Sequence, residues 1–188
     1  YRRLNILQAL TRQGQKPTRT VAALDIDPLR LPTGALIDWY LVVKRIDDLP
    51  LYNQDDDGHQ PAPVLRLKQE VAESQGVLFV TAEYNRSIPG VLKNAIDNAS
   101  RPYGHSAWAN KPAGVIGVSI GTIGTAMAQQ HLRNVLVFLN MPTMAQPEAF
   151  IQNSDALFNA DGSIGEVSRA FLQAWMDSYV AWVKRHNA

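Results

Sequence analysis

The chain has 188 residues, 46% of them hydrophobic, which suits one domain with a sizeable core. Its 18 basic and 17 acidic side chains leave a formal net charge of +1, and aromatic residues make up only 8%, so nothing points to a nucleic-acid partner. With no cysteine in the chain, disulfides, thiolate metal sites and cysteine nucleophiles are excluded, and a reducing cytoplasm is the compatible location.

The opening YRRLNILQAL reads as the start of a strand and not as a signal peptide, since no small-residue cleavage site follows it; the short apolar run over residues 4–10 is the expected buried strand. TRQGQKPTRT, residues 11–20, reads as a polar loop with Pro17 placed to open a short helix. A second strand is expected over residues 37–46, IDWYLVVKRI, where aromatic and β-branched residues gather. Residues 47–63 form a long loop rich in turn residues. Val64, Leu67 and Val71 share one helical face, which predicts a helix over 64–75. GVLFVTA, residues 76–82, is the clearest buried strand. A helix over 88–101 with Pro89 near its start, a buried strand over 113–119 and a long helix over 125–140 follow. A short strand near MPTMAQPEAF and a last helix over about 165–185 close the chain. No apolar run reaches the roughly 18 residues of a membrane span.

Buried strands alternating with helices imply a single α/β domain over residues 1–188, with a parallel sheet covered by helices on both faces. In such folds ligands sit beyond the carboxyl ends of the strands. Three segments are expected there: residues 11–20, 82–87 and 119–124. The last overlaps GVSIG, residues 117–121, which also fits the G-x-S-x-G elbow of a hydrolase. Ser119 is therefore open to three readings: a nucleophile, a cofactor contact, or part of a plain strand-to-helix turn. A serine hydrolase would draw its partners from Asp155 or Asp161 and from His186, in the chain order of that fold.

Several other residues are expected to be structural. Lys93 and Asp97 are spaced as an i,i+4 ion pair. Asp55, Asp56 and Asp57 beside His59 read as a solvated loop, and His131 as a hydrogen-bonded core or interface residue. Trp175, Tyr179 and Trp182 have helical spacing and read as core or subunit contact.

TAEYNRSIPGVLKNAIDNASRP, residues 81–102, strongly resembles the NADPH-dependent FMN reductase family, whose pattern there is close to P-E-Y-N-x-S-x-x-G-x-L-K-N-A-I-D-W-x-S-R-P. The chain keeps Glu83, Tyr84, Asn85, Ser87, Gly90, Leu92, Lys93, Asn94, Ala95, Ile96, Asp97, Ser100, Arg101 and Pro102. It departs at Ala82, where proline is usual, and at Asn98, where tryptophan is usual. RIDDLPLYNQDDD (45–57) and GTAMAQQHLRNVLVFLNMP (124–142) resemble the family too.

The resemblance implies a flavodoxin-like fold: a five-stranded parallel sheet in the order 2-1-3-4-5 with helices on both faces. It implies bound FMN, with NADPH or NADH as hydride donor. The acceptor would be a small molecule: a quinone, chromate, an azo compound or free flavin. No nucleic-acid or membrane partner is implied. A homodimer or homotetramer is expected, with Val135, Phe138 and Leu139 as candidate interface residues. Ala82, Glu83, Tyr84, Asn85 and Ser87 would border the flavin ring and meet its polar edge. Ser119 and Gly121 would do so from the second loop, where short side chains let backbone pass close to a flat ring.

The family's first loop, G-S-x-R-x-G-S-x-N, is altered here. Arg12 and Gly14 align with its arginine and glycine, but Ala9, Leu10 and Gln15 replace its other glycine and its serines, and Pro17 its asparagine. Thr11, Arg12, Gly14, Lys16 and Thr18 are left to hold the FMN phosphate, through cations, hydroxyls and a helix start. No protein acid or base is required, because the cofactor carries the hydride chemistry. A flavodoxin-like protein that has lost FMN and acts in protein interaction is the alternative from another class. One-electron carriers of this fold tend to be strongly acidic, unlike this near-neutral chain.

Overall fold

The computed structural model describes residues 19–24, 39–153, 157, 159 and 164–188. The two apolar runs that read most clearly as strands pair in parallel: β3 (Gly76–Thr81) and β4 (Ala113–Ser119), with Val77 opposite Ala113 and Thr81 opposite Gly117. On the other side of β3 lies β1 (Arg19–Leu24), with Val21 opposite Gly76 and Leu24 opposite Phe79. β2 (Trp39–Lys44) flanks β1, and the short β5 (Phe150–Gln152) flanks β4. All four pairings are parallel, and the sheet order is β2-β1-β3-β4-β5.

β1 corrects the reading of the first segment. Residues 4–10 lie outside the described residues. The strand beside β3 is instead formed by RTVAAL, part of which had read as loop and helix start behind Pro17. A four-residue apolar run after Thr20 is a weak signal alone, and pairing on both sides decides it.

Four helices follow from the apolar spacing: α1 (Ala62–Ala72), α2 (Gly90–Ala99), α3 (Ala126–Phe138) and α4 (Glu166–His186). Pro61 and Pro89 stand immediately before α1 and α2, where a fixed φ and a missing N–H cost least. The period of two along the strands sorts the core. Val77, Phe79, Ala113 and Val115 pack against α1, α2 and α3, together with the buried Trp108. Leu78, Ile116 and Val118 pack against α4 through Leu172, Trp175, Met176 and Tyr179. Trp175 and Tyr179 stack at 5.8 Å, as their helical spacing suggested. Trp182 is partly buried and donates to the Pro142 carbonyl at 3.0 Å. No described helix is long and apolar enough to cross a membrane.

Candidate functional site

β3 and β4 both end at the carboxyl edge of the sheet, and the chain leaves each of them in a short loop. Thr81 is buried, and its Oγ1 donates to the Ala82 carbonyl at 2.7 Å as the chain turns out. Tyr84 and Ser87 then exchange two backbone bonds, Tyr84 N to Ser87 O at 2.9 Å and Ser87 N to Tyr84 O at 3.0 Å. Between them Asn85 and Arg86 have φ of 52° and 62°. Two successive left-handed residues inside a two-residue hairpin define a type I′ turn. Asparagine suits the first position, whereas arginine at the second is held against its preference. The amides of Asn85 and Arg86 take no part in the two turn bonds, and the Tyr84 ring is 61% exposed.

The side chains that flank the tip are directed at α3. One Glu83 carboxylate oxygen accepts from the Ala128 amide at 3.0 Å, within the first turn of that helix. A carboxylate is favoured at this end of a helix, where free N–H groups gather. Ser87 Oγ lies 3.1 Å from His131 Nδ1. His131 is thus exposed and bonded to the turn, and lies outside the core. Both contacts span more than forty residues, so no local pattern in the sequence announces them.

The second loop, residues 119–124, is shaped by Gly117 within β4 and by Gly124 at its own end. A Cβ on Gly117 would collide with the Thr125 side chain and the Thr81 carbonyl. Gly124 has φ of 60°, and a Cβ there would meet Phe150 C at 2.7 Å. Gly121 differs: a Cβ there would find only Ser119 Oγ, at 3.6 Å, so the space above it is open. The Ser119 hydroxyl donates to the Gly124 carbonyl and ties the loop across its mouth. Ile120 and Ile123 stand exposed. Beneath the loop, buried Gln129 donates to Thr125 Oγ1 at 2.9 Å and to the Ala149 carbonyl at 2.7 Å.

This geometry removes the hydrolase reading. Ser119 lies at the carboxyl edge of the sheet. His186 lies at the end of α4, where neighbouring Asn187 donates to the carbonyl of Gln75, just before β3 begins. The length of β3, about 20 Å at a strand's rise, separates those two edges. His186 is engaged instead with Trp182, whose carbonyl lies 2.9 Å from its Nδ1. Asp155 and Asp161 lie outside the described residues.

Two loops with short residues at Ala82 and Gly121, spare turn amides and an exposed tyrosine ring suit a flat ligand with a hydrogen-bonding edge. Comparison with known proteins shows the family. A family model described as NADPH-dependent FMN reductase matches residues 27–156. The chain belongs to the NADPH-dependent FMN reductase family. A 2-hydroxy-1,4-benzoquinone reductase from Burkholderia sp is 51% identical over 140 residues, covering 74% of this chain and 76% of its own. A quinone reductase from Pseudomonas putida is 48% identical over 149 residues, 79% of this chain and 80% of its own. Among solved structures, FerB, a flavoenzyme NAD(P)H:(acceptor) oxidoreductase from Paracoccus denitrificans, is 40% identical with a TM-score of 0.78, covering 90% of this chain and 99% of its own.

The site residues expected from the sequence sort into three groups. Tyr84 and Asn85 are exposed at the turn, Gly121 has open space at its Cα, and Ala82 is half-buried at the end of β3. Glu83, Ser87 and Ser119 use their side chains within the protein and shape the loops. Thr11, Arg12, Gly14, Lys16 and Thr18 lie outside the described residues. Lys93 and Asp97 form their helical ion pair at 2.8 Å. Asp55 and Asp56 sit in a short 3₁₀ turn, Gln54–Asp56, and Asp57 accepts from the Tyr52 hydroxyl at 3.3 Å.

Proposed function

We propose that the chain is an FMN-dependent NAD(P)H oxidoreductase that reduces quinones. The observation that carries this reading is the pair of loops at one sheet edge, 82–87 and 119–124, in a chain about half identical to named quinone reductases over most of its length. FMN supplies the chemistry when bound: it takes a hydride from the nicotinamide and passes the reducing equivalents to the acceptor. The protein holds the ring edge with turn amides, keeps side chains short beside it and leaves its open side to donor and acceptor in turn. Chromate, azo compounds and free flavin are alternative acceptors.

The FMN phosphate belongs to the segment 11–18. The sequence alignment offers Arg12, Lys16 and Thr18 for it. A homodimer or homotetramer in the cytoplasm completes the proposal. Its support is the exposed Val137 and Phe138 near the end of α3, 72% and 79% accessible, in agreement with Phe138 as an interface residue. Val135 and Leu139 instead turn toward the core.

The test is an absorption spectrum with added FMN, followed by NAD(P)H oxidation with a benzoquinone. Stoichiometric flavin binding and quinone-dependent turnover are expected. Absence of FMN binding at high micromolar concentration overturns the reading.

A further inference from the structure

The type I′ turn is held to α3 at both of its flanks. Before the tip, the Glu83 carboxylate accepts from the Ala128 amide at 3.0 Å, and the helix's own N-cap, Thr125, makes no side-chain cap bond. After the tip, Ser87 Oγ meets His131 Nδ1 at 3.1 Å. Ala128 and His131 are three residues apart and lie on one side of α3, about one turn from each other. The tip between these contacts carries two left-handed residues, a conformation that persists only where surroundings determine it. A two-stranded hairpin is marginal by itself. The same helix start is also joined to the other loop. Ala126 N donates to the Ile123 carbonyl at 3.3 Å, Gly124 N to the Gly121 carbonyl at 3.0 Å, and the Ser119 hydroxyl to the Gly124 carbonyl. One rigid element is therefore bonded to both loops of the site.

We propose that Glu83 and His131 are positioning residues that latch the 84–86 tip to the start of α3 and so hold both loops of the flavin edge in one arrangement. The proposal rests on the flavin reading of that edge. The Glu83 latch is the stronger, since a carboxylate receives a helix N–H with the favour of the helix dipole. The Ser87–His131 latch is exposed and weaker. Because both hold one small element, their losses are coupled: once one is open, the other has less left to hold.

The experiment uses the full chain with Glu83→Ala, His131→Ala, the double change, and Glu83→Gln, whose amide oxygen still accepts from Ala128 N. Amide hydrogen exchange without flavin is read first. Exchange across 82–87 is expected to rise by about 5- to 30-fold in Glu83→Ala and less in His131→Ala, with Glu83→Gln close to the parent. FMN titration is read second. The dissociation constant should rise several-fold in each alanine variant, and in the double variant by less than the product of the two. Unchanged exchange across 82–87 in both single variants overturns the proposal, as does a Glu83→Gln protein as loose as Glu83→Ala, or fully multiplicative losses. If Glu83→Ala does not fold, His131→Ala and Glu83→Gln still decide the matter. Failure of the parent protein to bind FMN would sink the flavin reading alone, and the exchange data would then judge the latch.

Discussion

Ser119 shows how a motif changes meaning once its hydrogen-bond partner is known. Its hydroxyl donates to the Gly124 carbonyl, so its first role is to close the 119–124 loop. Ser119→Ala removes one neutral bond, worth roughly 0.5–1.5 kcal/mol net. FMN affinity should fall by about 2- to 12-fold, measured by fluorescence titration, while turnover at saturating FMN largely persists. Tyr179 makes a second prediction at this scale. It is fully buried against Trp175, and its hydroxyl has no partner among the described residues. Tyr179→Phe should raise stability by about 1 kcal/mol in urea unfolding, because an unpaired buried hydroxyl is lost. Burial also pushes the Tyr179 phenol well up from its ordinary value. The fold keeps the phenol protonated while the unfolded chain ionises above about pH 10. The parent protein therefore loses stability as pH rises past that point, and the phenylalanine variant loses less.

At the scale of one element, the turn after β3 is built against a local preference. Arg86 holds a φ of 62° in the second position of a type I′ turn, where glycine is the favoured residue. Arg86→Gly creates the Asn-Gly pair that this turn type prefers. It should stabilise the protein by roughly 0.5–1 kcal/mol, read as a rise in Tm, with FMN affinity changed little. A fall in Tm would show that the arginine side chain contributes more than its backbone costs. The helices were largely legible as elements: apolar spacing placed all four within a few residues of their observed ends. β1 was not legible, because RTVAAL is short and follows a proline that reads as a helix start. Its strand identity comes from neighbours on both sides.

At the scale of the molecule, parallel pairing brings every strand's carboxyl end to one edge and so chooses which loops can share a ligand. With Arg12 proposed as a phosphate contact, Arg12→Ala should weaken FMN by roughly 1.5–3 kcal/mol, the cost of a lost charged bond. Isothermal calorimetry on that variant checks it, and an unchanged affinity takes the phosphate away from residues 11–18. Assembly belongs to this scale too. Phe138→Asp places a charge on the exposed end of α3 and should shift the protein toward monomer in light scattering. An unchanged mass would move the subunit contact elsewhere.

The sequence by itself determined the α/β class, the four helices, the two central strands and the loops 82–87 and 119–124, because apolar period and turn residues are local signals. Its long motif also pointed to the correct family. What only the tertiary structure decided is how those loops are held. Glu83 turns its carboxylate to an amide forty-five residues away, and Ser87 finds His131 across forty-four, since β4 and the start of α3 come beside the end of β3 only when the sheet forms. The same placement put His186 at the far edge and ended the nucleophile reading of Ser119. Contacts between segments distant in the chain are set by strand register and helix packing, and neither quantity is written in any short stretch of residues.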